Sequence, residues 1–293
     1  MMYFAEPINR PPYEKADGFL QVTEGCSHGT CKFCSYFKTE FKRLSIEEIE
    51  RDVRQIPETY GQPTRIFLQG ADAFSADYDI LMATAELIHE YVPSVKTIGG
   101  FARVDSFTGK TVEQLKSMYE AGYEDPYFGL ESGWDKAIEF MNKGWTIPDA
   151  RTQLEKLEES GMPYIVNYCC GVGGKGNGLV NARETAKLYD GIHPTMLNMT
   201  MLTVIPDTPL WDAVKAGEFE EESEIEKLEE TQELIRNLNC ETVFMNEHAS
   251  NFFHLLCNLP DQKEAAIAYI QNVIDTSSEE ELRKYRESAV ETF

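Results

Sequence analysis

The sequence predicts an α/β fold in which residues 1–215 form a parallel sheet with helices and residues 216–293 form a mainly helical C-terminal extension. Six β-rich stretches each precede a helical stretch, and each strand-and-helix unit spans roughly 30 residues. Strict alternation of this kind is typical of parallel sheets with right-handed crossover connections. After Leu210 the strand-like stretches stop and helical patterns follow. The periodicity does not distinguish an open sheet from one that is curved into a barrel.

Each predicted strand is a short, mostly apolar run that ends at turn residues. The six runs are GFLQVT at 18–23, RIFLQG at 65–70, TIGGF at 97–101, YFGLESG at 127–133, YIVNYCC at 164–170 and LNMTMLTVI at 197–205.

The predicted helices begin at residues that favour helix N-termini. Three pairs have the spacing of a helix start, with a polar cap followed three residues later by Glu or Gln: Ser45 with Glu48, Thr111 with Gln114, and Asn181 with Glu184. We predict core helices over residues 45–60, 77–92, 111–122, 148–161 and 181–191, and extension helices over residues 223–239, 263–275 and 278–285.

Composition and charge limit the classes of protein and of substrate that the sequence is compatible with. The chain has 42% hydrophobic and 26% charged residues, which is typical of a folded soluble protein. No run approaches the roughly 18 apolar residues of a membrane helix, and the N-terminus lacks a signal-peptide pattern, so we expect a cytoplasmic protein without a membrane partner. The formal net charge of −23 disfavours nucleic acid as a substrate, although much of the acid lies in residues 217–230 and leaves room for a local basic groove. A small-molecule substrate is the prediction.

Three of the seven cysteines, Cys26, Cys31 and Cys34, form a C-x4-C-x2-C loop directly after the first predicted strand. In a cytoplasmic protein such spacing indicates metal or redox chemistry rather than disulfides. The remaining cysteines are interpreted as buried packing residues and are Cys169, Cys170, Cys240 and Cys257.

Three thiolates can bind three irons of a [4Fe-4S] cluster and leave the fourth iron open to a small molecule. His28, inside the loop, leaves two alternatives. With the three cysteines it could hold a structural zinc ion, although it is wedged between two ligands rather than placed at finger spacing. It could also be the fourth ligand of an iron-sulfur electron carrier or sensor.

The loop, with the aromatic Phe33 before its third cysteine, resembles the radical S-adenosylmethionine (radical SAM) superfamily. The resemblance implies a partial (β/α)6 TIM-like barrel and an oxygen-sensitive [4Fe-4S] cluster on Cys26, Cys31 and Cys34. It further implies S-adenosylmethionine as cofactor, and flavodoxin or ferredoxin as the electron donor. The implied reaction is reductive cleavage to a 5′-deoxyadenosyl radical that takes hydrogen from an unidentified substrate. The first spacing is four residues where three is commonest in the family.

The resemblance extends beyond the loop. The motif LQGADA at 68–73 is similar to the family's segment for the methionine amino group, and FGLESG at 128–133 with MNKG at 141–144 resembles the elongator, methylthiotransferase and coproporphyrinogen-oxidase-like branches. The residues that the resemblance places around S-adenosylmethionine are Phe33, Gly70, Ala71, Asp72, Arg103, Glu131, Ser132, Asn167, Gly171 and Gly173. Several have structural alternatives. Arg103 could form an ion pair with Asp105 or Glu131, and Asn167 could be a core amide. Phe33 could pack under the loop, and residues 70–72 could form only a turn.

Residues 171–176 also fit the dinucleotide motif G-x-G-x-x-G, so an NAD-type oxidoreductase with structural zinc stays an alternative. That motif needs a helix that starts inside it, whereas we expect no helix before Asn181. The chain has no second cysteine cluster, which argues against sulfur insertion.

Overall fold

A computed structural model describes residues 2–290. Its main sheet has eight strands in the order β1-β4-β5-β6-β7-β8-β9-β10, and β2 and β3 form a separate antiparallel pair. The strands are β1 Gly18–Gln21, β2 Thr23–Glu24, β3 Lys42–Arg43, β4 Arg65–Gln69, β5 Thr97–Ala102, β6 Tyr123–Glu131, β7 Ile165–Cys170, β8 Met196–Met201, β9 Thr242–Asn246 and β10 Leu255–Leu259. The β1/β4, β4/β5, β5/β6 and β8/β9 pairs are parallel, so the predicted α/β class is confirmed.

The register of the parallel pairs places Gly18 opposite Ile66 and Arg65 opposite Thr97. Strands β9 and β10 pair antiparallel, with Leu255 opposite Asn246. Within the described residues β1 and β10 are the edge strands, and no pairing joins them.

Helices follow most strands. They are α1 Ile46–Val53, α2 Ile56–Tyr60, α3 Tyr78–Tyr91, α4 Val112–Glu120, α5 Asp135–Phe140, α6 Ile147–Ser160, α7 Gly178–Leu188, α8 Pro209–Lys215, α9 Glu224–Asn237, α10 Lys263–Thr276 and α11 Glu279–Val290. None of the helices among the described residues is both long enough and apolar enough to cross a membrane.

Local capping signals located two helix starts correctly and one incorrectly. Ser45 and Thr111 form the predicted capping boxes with Glu48 and Gln114. The helix predicted from Asn181 begins instead at Gly178, so that start was wrong. Asn181 is fully buried, and its side-chain amide donates to Tyr168 and Glu230 rather than capping a helix.

The C-terminal residues contain the predicted helices but also β9 and β10, which the periodicity did not predict. β9 pairs parallel with β8 and so continues the main sheet. In β10 the burial alternates along the strand, with Cys257 and Leu259 buried and Leu256 exposed. Five residues of such a pattern are too few to separate a strand from a loop by sequence. The division near residue 215 stays a prediction.

The described chain divides into two compact units. The first comprises residues up to Gly29, Tyr36–Gly129 and Thr152–Ile165. Its core is rich in aromatic rings, with Phe74 stacked on Phe107 at 5.5 Å between ring centroids. The second comprises Thr30–Ser35, Leu130–Arg151 and the residues from Val166 onward.

The acidic run at 217–230 is partly internal in the second unit: Glu218, Glu220 and Glu229 are exposed, whereas other charged residues of the run are buried. Glu222, Glu224, Glu230 and Lys227 are each at most 1% exposed. Lys227 pairs with Glu224 at 3.4 Å, and Arg286 donates to Glu224 at 2.6 Å. The charged residues of this run therefore contribute to the core as well as to the net charge.

Glu222 is the unusual member of this group because neither of its carboxylate oxygens accepts a hydrogen bond from a described residue. Burial and the neighbouring Glu230 carboxylate raise the pKa of Glu222 far above its ordinary value. Glu230, in contrast, accepts from the Tyr168 hydroxyl, from Asn181 at 2.8 Å and from the Gly171 amide at 2.9 Å. Burial beside Glu230 therefore favours the protonated form of Glu222.

We expect Glu222→Gln and Glu230→Gln to change stability in opposite directions. Because the pKa of Glu222 is raised in the folded state, unfolding above about pH 4.3 releases a proton. The contribution of Glu222 to the free energy of unfolding therefore falls as the pH rises. Glu222→Gln removes that loss and should add about 1–3 kcal/mol at pH 7 and almost nothing at pH 4. Glu230→Gln places an amide N–H₂ group among the donors that now bond to Glu230, namely Tyr168, Asn181 and the Gly171 N–H. It should lower the free energy of unfolding by about 2–3 kcal/mol. Urea unfolding at both pH values measures these changes, and equal destabilisation by the two variants would contradict the assignment.

Candidate active site

The cysteine loop begins two residues after β2. None of the seven cysteines is in a disulfide; Cys26, Cys31 and Cys34 are half-buried, whereas the other four are buried. Burial raises the pKa of Cys169 and Cys170 well above the ordinary thiol value and that of Cys257 to about 11. A metal takes the thiolate form of cysteine, so the buried thiols are unsuited to be ligands.

The donor set of the loop fits an iron-sulfur cluster. Three thiols that form no disulfide lie within nine residues of chain, and a cubane would bind each thiolate through a different iron. Among residues 2–290, no three His, Cys, Asp or Glu side chains are grouped so that they could hold one metal ion.

In the first unit, the turn after β4 packs tightly against the start of the cysteine loop. Gly70 has a φ of +107°, and a Cβ atom there would lie 2.2 Å from the Thr23 hydroxyl oxygen. The next residue, Ala71, donates its backbone N–H to the carbonyl oxygen of Gly25 at 3.1 Å. Only glycine is compatible with this approach, so Gly70 has a steric role in joining the turn to the loop.

Asp72 follows this turn and is 1% exposed. Its carboxylate accepts hydrogen bonds from the Ser27 hydroxyl, from the Ser106 hydroxyl at 2.5 Å and from the Arg103 backbone N–H at 3.1 Å. Burial raises the pKa of Asp72, and the bonds from Ser106 and Ser27 oppose that rise. The predicted role of Asp72 toward a ligand amino group stays a prediction.

Arg103 follows β5 and is 8% exposed. Its guanidinium donates to Asp105 at 2.7 Å, which is one of the two structural partners considered from the sequence. The predicted alternative role, contact with a cofactor carboxylate, stays a prediction.

In the second unit, the segment Thr30–Ser35 is bound to the residues after α5. The Lys32 N–H donates to the Met141 carbonyl at 3.0 Å, and the Asn142 side-chain amide donates to the backbone and hydroxyl oxygens of Thr30, both at 3.0 Å. Asn142 has a φ of +54°, a left-handed conformation that asparagine tolerates better than most residues. Two residues of the MNKG motif therefore hold the segment Thr30–Ser35 by hydrogen bonds.

Lys143 links Phe33 to Glu131 within the same unit. Its ammonium lies 5.6 Å from the centre of the Phe33 ring and donates to Glu131 at 3.2 Å. The other carboxylate oxygen of Glu131 accepts from the Asn167 amide at 2.6 Å. Glu131 has a φ of +67°, which is unusual for a residue other than glycine. Such strain is found at functional sites that the surrounding structure over-determines.

The remaining predicted residues of this unit differ in surroundings. Ser132 is buried, and its hydroxyl donates to Asn181 and accepts from the Trp134 N–H, so it joins structural elements. Gly171 has a φ of +86° and donates to Glu230. Gly173 lines an open cavity of about 310 Å³ together with aromatic side chains, namely Trp134, Phe140 and Phe219.

The structure adds three residues that the sequence did not single out: Ser27, Ser106 and Lys143. Ser27 and Ser106 both donate to Asp72, although they lie 45 and 34 residues from it along the chain. No local pattern identifies such contacts. Lys143 had a weak signal, because it is the only charged residue of the MNKG motif.

A sequence profile described as the Radical SAM superfamily matches residues 20–188, more than half of the chain. The tRNA-2-methylthio-N(6)-dimethylallyladenosine synthase of Actinobacillus pleuropneumoniae serotype 5b is 23% identical over 245 residues, which are 79% of this chain and 50% of that protein. The synthase of the same name from Colwellia psychrerythraea (strain 34H) is 26% identical over 167 residues, covering 53% of this chain and 34% of that one. The chain spans half or less of the length of these relatives.

Among solved structures, methylornithine synthase (PylB) is similar with a TM-score of 0.51, covering 76% of this chain and 63% of that chain at 14% identity. TsrM, a radical S-adenosylmethionine methyltransferase from Kitasatospora setae, has a TM-score of 0.53 and covers 88% of this chain and 52% of that chain at 13% identity. At these identities the likeness concerns the fold, and it confirms the predicted fold class.

Proposed function

Because the chain belongs to the radical SAM superfamily, whose enzymes use a [4Fe-4S] cluster and S-adenosylmethionine, we propose that it cleaves S-adenosylmethionine reductively with a cluster held by Cys26, Cys31 and Cys34. The observation that carries this proposal is the contrast among the cysteines. The three cysteines of the loop are partly accessible and form no disulfide, whereas the other four are buried. When bound, the cluster supplies the electron that splits S-adenosylmethionine into methionine and a 5′-deoxyadenosyl radical, which takes hydrogen from the substrate.

The chain itself would supply ligation and orientation. Cys26, Cys31 and Cys34 would bind three irons of the cluster, and the iron left without a protein ligand would be where a small chelating molecule could bind. The bonds from Met141 and Asn142 hold Thr30–Ser35, the segment that carries two of the three cysteines. A fixed loop would keep the three thiolates in place while small molecules bind to and leave the iron that has no protein ligand.

Several polar groups are proposed to orient S-adenosylmethionine. Glu131 is held by Lys143 and Asn167, and its strained backbone suits a residue whose position matters more than its local stability. Gly173, beside the aromatic cavity, is proposed to approach the adenine or ribose. Phe33, Gly70, Ala71, Arg103, Ser132 and Gly171 remain proposed neighbours of the cofactor.

The proposed substrate is a small molecule, and the proposed electron donor is a flavodoxin or ferredoxin. The names of the relatives concern a tRNA modification, but the chain spans at most half of their length. The net charge of −23 also opposes binding to a polyanion. A small-molecule extract should therefore raise the yield of 5′-deoxyadenosine, whereas total tRNA should leave it unchanged.

The NAD alternative finds little support in the loop at 171–176. α7 begins at Gly178, after the motif has ended, so the helix N-terminus does not lie inside the fingerprint. The electron-carrier alternative differs from the proposal in needing no turnover of S-adenosylmethionine, and one experiment separates them.

Anaerobic reconstitution with iron and sulfide, followed by dithionite and S-adenosylmethionine, should yield methionine and 5′-deoxyadenosine in equal amounts. Chromatography with mass spectrometry measures both products. Samples without dithionite or without S-adenosylmethionine are the controls. If a fully loaded cluster forms no 5′-deoxyadenosine and its spectrum is unchanged by S-adenosylmethionine, the proposed function is wrong.

A further inference from the structure

We propose that Asp72 is a positioning residue that fixes the cysteine loop beside Cys26, and that its carboxylate does not bind the amino group of S-adenosylmethionine. The proposal rests on the proposed function, because it assigns a role toward the cluster held by that loop. It replaces the role that the sequence resemblance implied for this residue.

The hydrogen-bonding capacity of Asp72 is largely used within the first unit. A carboxylate offers about four acceptor positions, and Ser27, Ser106 and the Arg103 N–H occupy three of them. The residue is 1% exposed, so the remaining lone pair does not face solvent. A ligand ammonium could bind this carboxylate only at the one remaining buried lone pair or by displacing a hydroxyl or a backbone N–H.

Two hydrogen bonds from the turn after β4 flank Cys26. On one side, the Ala71 N–H donates to the carbonyl oxygen of Gly25 at 3.1 Å. On the other side, the Ser27 hydroxyl donates to Asp72. Cys26 therefore lies between two anchored residues.

The loop needs such anchors because its own backbone is permissive. Gly25 and Gly29 have φ values of +62° and +65°, and a glycine loses more conformational freedom on ordering than any other residue. Asp72 is suited to restrain it because Ser106 and the Arg103 N–H hold the carboxylate from outside the loop. The fixed carboxylate acts on the loop through Ser27.

The consequence for the cluster follows from ligand geometry. A thiolate on an anchored backbone stays in place when a cluster bond opens, whereas a thiolate on a mobile loop can move away. Loss of one charge-assisted hydrogen bond corresponds to about a tenfold change in an equilibrium. We therefore expect Ser27→Ala and Asp72→Asn to lose the cluster about tenfold faster than the unchanged protein.

The test uses the reconstituted full chain under anaerobic conditions. Iron and sulfide per chain are measured first, and cluster loss is then followed by the decay of visible absorbance in excess chelator. Ser27→Thr keeps the hydroxyl and should keep the slow rate. Ser106→Ala is the matched control, because it removes a hydroxyl from the same carboxylate without touching the loop, and it should have a smaller effect than Ser27→Ala.

Electron paramagnetic resonance of the reduced cluster, with and without S-adenosylmethionine, separates the two roles of Asp72. The fraction of Asp72→Asn that retains its cluster should respond to S-adenosylmethionine as the unchanged protein does. A variant with a stable cluster and no response would identify Asp72 as a cofactor ligand and overturn the inference. Equal rates of cluster loss for Ser27→Ala and the unchanged protein would also overturn it.

Circular dichroism shows whether Asp72→Asn folds. If it does not, the variants of the exposed Ser27 still test the inference. If the unchanged protein assembles no cluster at all, the proposed function itself fails, and the inference fails with it.

Discussion

Cys31→Ala should reduce the formation of 5′-deoxyadenosine to the background of the cluster-free protein. Among the described residues Cys31 is one of three half-buried thiols, and a cluster that loses one of three thiolates has no further cysteine on the loop to replace it. Iron content, visible absorbance and product yield are measured on the same anaerobic preparation. Cys26→Ala and Cys34→Ala should give the same result.

Cys257→Ala is the matched control for this series. Its thiol is buried in β10, and burial raises its pKa to about 11, so it stays protonated and does not bind iron. This variant should keep its iron and its yield of 5′-deoxyadenosine. Retention of the cluster by Cys31→Ala, or its loss in Cys257→Ala, would contradict the ligand assignment.

Lys143→Met should destabilise the folded chain by about 3–5 kcal/mol. Lys143 and Glu131 are 6% and 8% exposed, and their charged atoms are 3.2 Å apart. Removing the lysine leaves the Glu131 carboxylate buried with the Asn167 amide as its described hydrogen-bond donor. An uncompensated buried charge is the costly part of breaking such a pair.

The double variant Lys143→Met with Glu131→Gln should recover much of this loss, because it buries no charge. Lys187→Met is the control, since Lys187 forms an exposed pair with Glu184 and such pairs contribute about 0–1 kcal/mol. Urea unfolding of the four proteins measures the free energies. A double variant as unstable as Lys143→Met would show that the loss comes from packing against Phe33 rather than from the charge.

The strands and helices of the core could be predicted because their signals are local. Apolar runs of five to nine residues correspond to strands such as β4 and β7, and the capping boxes at Ser45 and Thr111 depend only on residues three positions away. The start of α7 could not be predicted in this way. Asn181 looks like a cap in sequence, but its side chain bonds to Tyr168 and Glu230, and Glu230 lies 49 residues away.

The burial of charged residues in the acidic run at 217–230 also could not be predicted from local sequence. Its composition is typical of a solvated helix, yet Glu224 and Glu230 are fully buried. Arg286 compensates Glu224 from 62 residues away, and Tyr168 donates to Glu230. Burial of charge depends on partners that no local window contains.

The cysteine loop could be identified from the sequence because its three cysteines lie within nine consecutive residues. The spacing and the aromatic residue before the third cysteine are local properties, and together with the resemblance to the radical SAM superfamily they indicate an iron-sulfur cluster and its cofactor. What supports the loop was decided only by the tertiary structure. Asp72 meets Ser27 across 45 residues, and Lys143 meets Glu131 across 12. Ligand identity is a property of the residue type, whereas restraint of a ligand depends on which side chains the folded chain brings together.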